Sequence, residues 1–178
     1  MTHVVLLRGV NVGGYRTFRP ARLAEQLQHL GAVNIGAAGT FVFRTSITQA
    51  QLRAELIERL PFETDIMICS SREMAKLLSR DWFAGRPMGP DIVRFVGVLL
   101  RAPRLALPLP LTLPSSGQWM VKVLACEGRF VIGEYRRHMK AIGYLNSLNR
   151  VFTSSATMRN WNTIIAIGKA MHSLGQSS

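Results

Sequence analysis

The sequence predicts an α+β protein made of two plait-like halves with antiparallel sheets. Three observations carry this. Apolar runs of strand length alternate with stretches whose leucines recur at helical spacing, residues 1–70 read β-α-β-β-α-β, and the second half repeats that order in degraded form. Under the right-handed crossover rule the first order folds as two helices on one face of a four-stranded antiparallel sheet, a ferredoxin-like plait.

Val4 to Leu7 is a continuous apolar tetrad with β-branched members, the pattern of a central buried strand. Pro20 opens a helix in which Leu23, Leu27 and Leu30 fall on one side, and Gly31 supplies its left-handed stop. Val33 to Ile35 and Thr40 to Phe43 flank the tight Gly36 to Gly39 turn and pair as a hairpin, with Phe41 and Phe43 on one face. Thr48 and Gln51 have the spacing of a capping box, which starts a helix carrying Leu52, Leu56 and Leu60. Asp65 to Cys69 is the fourth strand.

Ser70 and Glu73 cap a further helix that runs to about Ser79, and Gly85 to Pro90 marks a loop. The expected division is therefore a subdomain over 1–70, a helix and linker over 71–90, and a second, degenerate subdomain over 91–178. In that second part Asp91 to Leu100 is a strand, while Pro103, Pro108, Pro110 and Pro114 forbid a long helix and leave an extended edge or linker. Trp119, Val121, Val123 and Ala125 alternate with more polar neighbours, and Glu127-Gly128 turns that strand into Arg129 to Arg136. A helical patch follows to about Asn149, and Thr157 begins a last helix carrying Trp161, Ile164 and Ile165.

Composition narrows the class. At 48% hydrophobic over 178 residues, the chain can bury one substantial core or two small ones. Its longest apolar runs, such as Val96 to Leu100, fall far short of the ~20 residues of a membrane span, so the expectation is a cytoplasmic protein without a membrane partner. Cys69 and Cys126 lie in apolar strand-like segments without metal-ligand spacing and read as reduced core thiols. The net charge is +12 and is lopsided, because after Asp91 the only carboxylates are Glu127 and Glu134. Such a half creates a positive field that attracts nucleic acid or other anions.

Two polar clusters stand out as candidate binding residues. In Arg8-Gly9-Val10-Asn11-Val12-Gly13-Gly14, glycines at the end of a strand let backbone N–H groups converge on an anion, and Arg8 adds a fixed charge. The loop is not a P-loop despite its Gly9 to Gly14 spacing. Tyr15 and Arg16 occupy the places of the lysine and the magnesium-binding hydroxyl, and Asn11 breaks the dinucleotide fingerprint. Arg159, Asn160 and Asn162 flank Trp161 in what reads as the first turns of the last helix, where free N–H groups favour anions. Against these readings stand bland ones, a ligand-free turn and a buried anchor with satisfied asparagines. If both clusters line one cleft, Arg8, Asn11 and an asparagine of the second cluster converge on one ligand.

For nucleic acid, Phe41 and Phe43 sit where base-stacking aromatics would, but core packing is the stronger reading. Arg129, Arg136, Arg137 and Lys140, near Tyr135 and Tyr144, form the better basic-aromatic patch. His3, His29, His138 and His172 are scattered without metal-ligand spacing, and neither a metal site nor a cofactor is expected.

On Leu6 to Gly14 and on Thr157-Met158-Arg159-Asn160-Trp161-Asn162-Thr163, the chain resembles a widespread bacterial family called domain of unknown function 1697. The resemblance implies two tandem ferredoxin-like subdomains and no established activity. Members carry a lysine where this chain has Tyr15, and a run of tyrosine, isoleucine, glutamine, serine, glycine and asparagine where it has Ile35 to Thr40. The expected role is binding of an anionic small molecule or nucleic acid. The alternatives are an enzyme acting on a phosphorylated or other anionic small molecule, and an inactive divergent member.

Overall fold

Val4 to Leu7 are fully buried in strand β1 (Thr2–Leu7), an interior strand of a sheet both of whose faces are covered. That explains a run of apolar residues with no alternation. The computed structural model describes residues 1–14 and 16–176, and Tyr15 lies outside them. Among the described residues the architecture is α+β, with antiparallel sheets of four and five strands and five α-helices. No described helix is long and apolar enough to cross a membrane. The chain forms two units, Met1–Leu78 together with the chain from Asn162 onward, and Ser79–Trp161.

In the first unit, helix α1 (Pro20–Gln26) begins on its proline and passes through a 3-10 turn (Gln28–Leu30) into Gly31, whose φ of 66° is left-handed. A Cβ there would come within 2.5 Å of the Arg44 carbonyl oxygen, so the position demands glycine twice over. Strands β2 (Ala32–Asn34) and β3 (Thr40–Arg44) pair antiparallel, β3 pairs with β1, and β1 pairs with β4 (Ile66–Ser70), giving the order β2-β3-β1-β4. Helix α2 (Gln49–Arg59) lies between β3 and β4 in sequence. Its capping box closes both ways, with the Gln51 N–H donating to Thr48 Oγ1 at 3.2 Å and the Thr48 N–H to Gln51 Oε1 at 2.8 Å.

Val5, Leu7, Phe41, Phe43, Ile66 and Ile68 share one sheet face and pack with Leu23, Leu27, Leu52 and Leu56 of the two helices. Helix α3 (Ser71–Leu78) contacts β1 and β4, and Ser70 and Glu73 cap it reciprocally at 2.7 and 3.2 Å.

The second unit is built on β5 (Ile92–Leu99), flanked by β8 (Phe130–Arg136) and β9 (Ala156–Asn160) in the order β6-β7-β8-β5-β9. Strand β7 (Val121–Glu127) joins β8 through Gly128, whose φ is 58°, as the expected hairpin. Strand β6 (Leu111–Leu113) is a three-residue edge. Phe95, Leu99, Val121, Val123 and Val131 face helix α4 (Met139–Val151) through Ala141, Leu148 and neighbouring Phe152. Leu107, Leu109, Leu111 and Leu113 pack on the same core, so the leucine-proline segment covers apolar surface as an extended chain.

One expectation is corrected here. Residues 156–160 form β9, so Thr157 does not start a helix, and α5 begins at Trp161 and runs to Gln176. The cause is tertiary: β5 offers an unpaired edge, and Gly97 leaves the room that Met158 fills, since a Cβ on Gly97 would meet the Met158 sulfur at 2.8 Å. The last helix, which the sequence assigned to the second half, counts after Trp161 with the first unit. Ile164 and Ile167 are buried, and Gly168 lets α5 close on Leu78, where a Cβ would stand 2.8 Å from a leucine methyl.

Candidate functional site

The glycine loop folds back on itself. Gly9, Gly13 and Gly14 have positive φ, as their sequence positions predict, and Asn11 joins them at 55°. The Asn11 amide donates to the Ala37 carbonyl at 2.8 Å, and its Oδ1 accepts the Phe18 N–H at 2.9 Å. Both functions of that side chain therefore tie the loop to the Gly36–Gly39 turn and to the entry of α1. The Leu7 N–H donates to the Gly39 carbonyl at 2.8 Å. Residues 35–40 thus brace the loop partly through main-chain oxygens, which a change of side chains leaves in place.

Arg8 also has partners within the fold. Its guanidinium pairs with Asp65 at 3.3 Å, while its carbonyl accepts the Thr64 hydroxyl at 2.5 Å. A cavity of about 290 Å³ beside it is lined by Arg8, Arg16, Glu63, Thr64 and Asp65, two cations against two carboxylates. That balance leaves no net local charge for an anion.

The second motif lies on β9 and α5. Arg159 is buried in β9, where its Nη1 donates to Thr157 Oγ1 at 2.7 Å and to the Met158 carbonyl at 2.8 Å. Burial pulls its pKa down to about 10, because a guanidinium away from water loses hydration that favours its charged form. Asn160 is exposed at the end of the strand, so neither Arg159 nor Asn160 stands in the first turn of a helix as the sequence suggested. Trp161 packs edge-on against Phe83 at 5.3 Å, and Asn162 is exposed. Residues 8–14 and Asn162 fall in the first unit, and Arg159 and Asn160 in the second.

Phe41 and Phe43 are fully buried under α1 and α2, which removes them as base-stacking residues. Of the basic patch, Arg129 sits in the β7–β8 turn and Arg136 at the far end of β8, about 20 Å away at the rise of a strand. Arg137 and Lys140 are exposed near Arg136. Tyr135 and Tyr144 pack with the α4 core, so they are not the aromatics of this patch.

Strand register assembles a different cluster. Arg94 lies opposite Glu134, and Glu134 opposite Lys122, so β5, β8 and β7 each contribute one charge to a row across the sheet. Arg136, two residues beyond Glu134, shares that face. Glu134 is buried, and its Oε2 accepts from Arg86 Nε at 3.0 Å and Nη2 at 2.9 Å. Its Oε1 faces Arg94 Nε across 3.9 Å, and neither of these buried atoms has a hydrogen-bond partner. The Arg94 guanidinium lies over Phe83, 4.7 Å from the ring centre.

At the rim stands Trp119. The Arg136 guanidinium and the Lys122 ammonium each lie 4.4 Å from its ring centre. Arg136 is anchored twice more, to the Trp119 carbonyl at 3.1 Å and to Asp91 at 2.5 Å. These residues border a cavity of about 420 Å³ that includes Arg86, Lys122, Glu134, Asp91, Arg136 and Trp119. Sequence alternation had placed Trp119 on the inward face with Val121. Met120 and Val121 both enter the core, so the period of two breaks before β7 starts and the indole turns the other way. The row Arg94-Glu134-Lys122 was missed because its spacing in sequence has no pattern; only pairing register reveals it.

Comparison with known proteins gives a family and a fold. A family model described as "Protein of unknown function (DUF1697)" matches residues 1–103, which leaves the Arg159 to Asn162 motif outside the match. No curated protein matches the chain. Among solved structures, the chain is similar to a conserved bacterial protein from Streptococcus pneumoniae, with 19% identity over 94% of this chain and 97% of that one and a TM-score of 0.59. At that identity the likeness is one of fold.

Proposed function

The chain belongs to the DUF1697 family, and from that premise we propose that its second unit binds a phosphate-bearing anion in the cavity between Arg86, Lys122, Trp119 and Arg136. One observation carries the reading. Arg86 is matched by Glu134 and Arg136 by Asp91, whereas among the described residues the Lys122 ammonium has the Trp119 ring beside it and no carboxylate within ion-pair distance. A cation that rests on an aromatic face at the mouth of a cavity keeps all three donors for an incoming anion. Arg94 behind the cavity and the shortage of carboxylates after Asp91 extend the positive field. The cavity volume lies in the range of small-ligand sites, about 300–1,000 Å³.

The architectural part of the proposal is a tandem of two ferredoxin-like plaits. Its support is that β7-β8-β5-β9 repeats the neighbour order β2-β3-β1-β4, with α4 in the place of α2. The leucine-proline segment then stands where the first half has α1.

Titration calorimetry with inorganic tripolyphosphate tests the binding. The expected result is saturable binding that weakens as ionic strength rises and drops about tenfold in Lys122→Met, the loss of roughly 1.4 kcal/mol of charge-assisted contact. No binding, or equal affinity in Lys122→Met, overturns the proposal.

A further inference from the structure

The anion this cavity takes carries a planar base: we infer that Trp119 is a stacking platform and that the ligand is a nucleotide, free or within a single strand. The inference rests on the anion-binding reading above and adds the part of the ligand that a bare phosphate lacks.

The two cations on Trp119 are held very differently. Arg136 has its Nε on the Trp119 carbonyl and its Nη1 on Asp91, so its position over the indole is fixed from three directions. Lys122 is held only by the ring, 4.4 Å from its centre, on a flexible four-carbon stem. A base stacked on an aromatic side chain gains more than an exposed cation-π contact does. A base can therefore displace the ammonium from the indole, and the released ammonium turns to the phosphate of the same ligand. No charge is left unpaired by that exchange, and the one cation of the site without a carboxylate acquires a counter-charge.

Neighbouring groups favour the same ligand. Trp119 is half-buried, so its ring is held in place while part of it remains open. The cations that remain, Arg86 and Arg136, flank the cavity from the 79–90 segment and from β8, where they border a phosphate without competing for the ring. Arg137 and Lys140 are exposed close to Arg136 and continue the basic surface past the cavity, as a longer strand requires.

The test compares three probes that share phosphate chemistry: tripolyphosphate, ATP and a single-stranded twelve-nucleotide oligothymidylate. Each is titrated into wild type, Trp119→Leu and Trp119→Phe. The expected result is that ATP or the oligonucleotide binds at least about tenfold more tightly than tripolyphosphate, that Trp119→Leu abolishes this advantage while tripolyphosphate stays within about twofold, and that Trp119→Phe retains most of it. Indole fluorescence gives a second readout that does not need the leucine variant to fold: quenching by the base occurs in wild type and disappears in Trp119→Phe, because Trp82 and Trp161 remain as the background. Preference for the oligonucleotide over ATP assigns the site to a strand, and the reverse to a free nucleotide. Tripolyphosphate binding as tightly as ATP and the oligonucleotide, quenching that persists in Trp119→Phe, or equal losses for all three probes in Trp119→Leu overturn the stacking role and leave the anion reading standing. Failure of every probe to bind wild type removes both.

Discussion

Arg86→Ala is the sharpest test of how the second unit is held together. Glu134 is only 3% exposed, yet it accepts two hydrogen bonds from Arg86 at 2.9 and 3.0 Å, and Arg94 faces its other oxygen at 3.9 Å. Breaking a buried pair by removing one partner costs about 3–5 kcal/mol, chiefly because the remaining charge is stranded. The Arg86 side chain is about a third exposed, so water enters where it was, and Arg94 persists as a weaker partner. These two effects lower the expected loss to about 2–4 kcal/mol. Urea unfolding followed by circular dichroism measures it as a shift in midpoint. Because the cost lies in the stranded carboxylate, Glu134→Gln on top of Arg86→Ala recovers a good part of it, and the double-mutant cycle yields a coupling of at least about 1 kcal/mol. A single variant within about 0.5 kcal/mol of wild type, or a double variant no better than the single, would refute the reasoning.

Two further outcomes follow from the two sequence motifs. Asn11→Ala removes both the Ala37 and the Phe18 hydrogen bonds and leaves a positive-φ alanine, so a loss of about 1–3 kcal/mol is expected, with faster amide exchange over residues 9–18 as the local readout. For Arg159, burial lowers the folded-state pKa to about 10, below the ordinary guanidinium range, so above that value the unfolded chain binds more protons and stability contributed by this group rises with pH. Relative to Arg159→Gln, wild type should gain about 1 kcal/mol between pH 9 and pH 11 in chemical unfolding; a flat or opposite trend contradicts the burial argument.

How much of this was legible in the sequence depends on the range of the interactions. Local signals carried through: the Thr48–Gln51 box, the glycine stop after Leu30, the hairpin at Gly128 and the uniform apolarity of β1 all depend on residues a few positions apart. The positive φ values of Gly9, Gly13 and Gly14 were likewise implied by glycine in a turn. Arg8 and Asn11, by contrast, stood as candidate ligand contacts beside a ligand-free reading of the turn, and their partners lie 57 and 26 residues away, where local reasoning does not see them. Thr157 to Asn160 read as the start of a helix from local signals, whereas the unpaired edge of β5 makes them strand.

The candidate site shows the same divide. Sequence alone determined that the second half is cationic, since the shortage of carboxylates after Asp91 is a matter of counting. Only tertiary structure decided which cations meet, because neighbours on a sheet are set by register between strands: Glu134 lies beside Arg94 and Lys122 though 40 and 12 residues from them in the chain. The break in alternation at Met120 decided the rest, turning Trp119 out of the core and under the only cation of the cavity that no carboxylate holds.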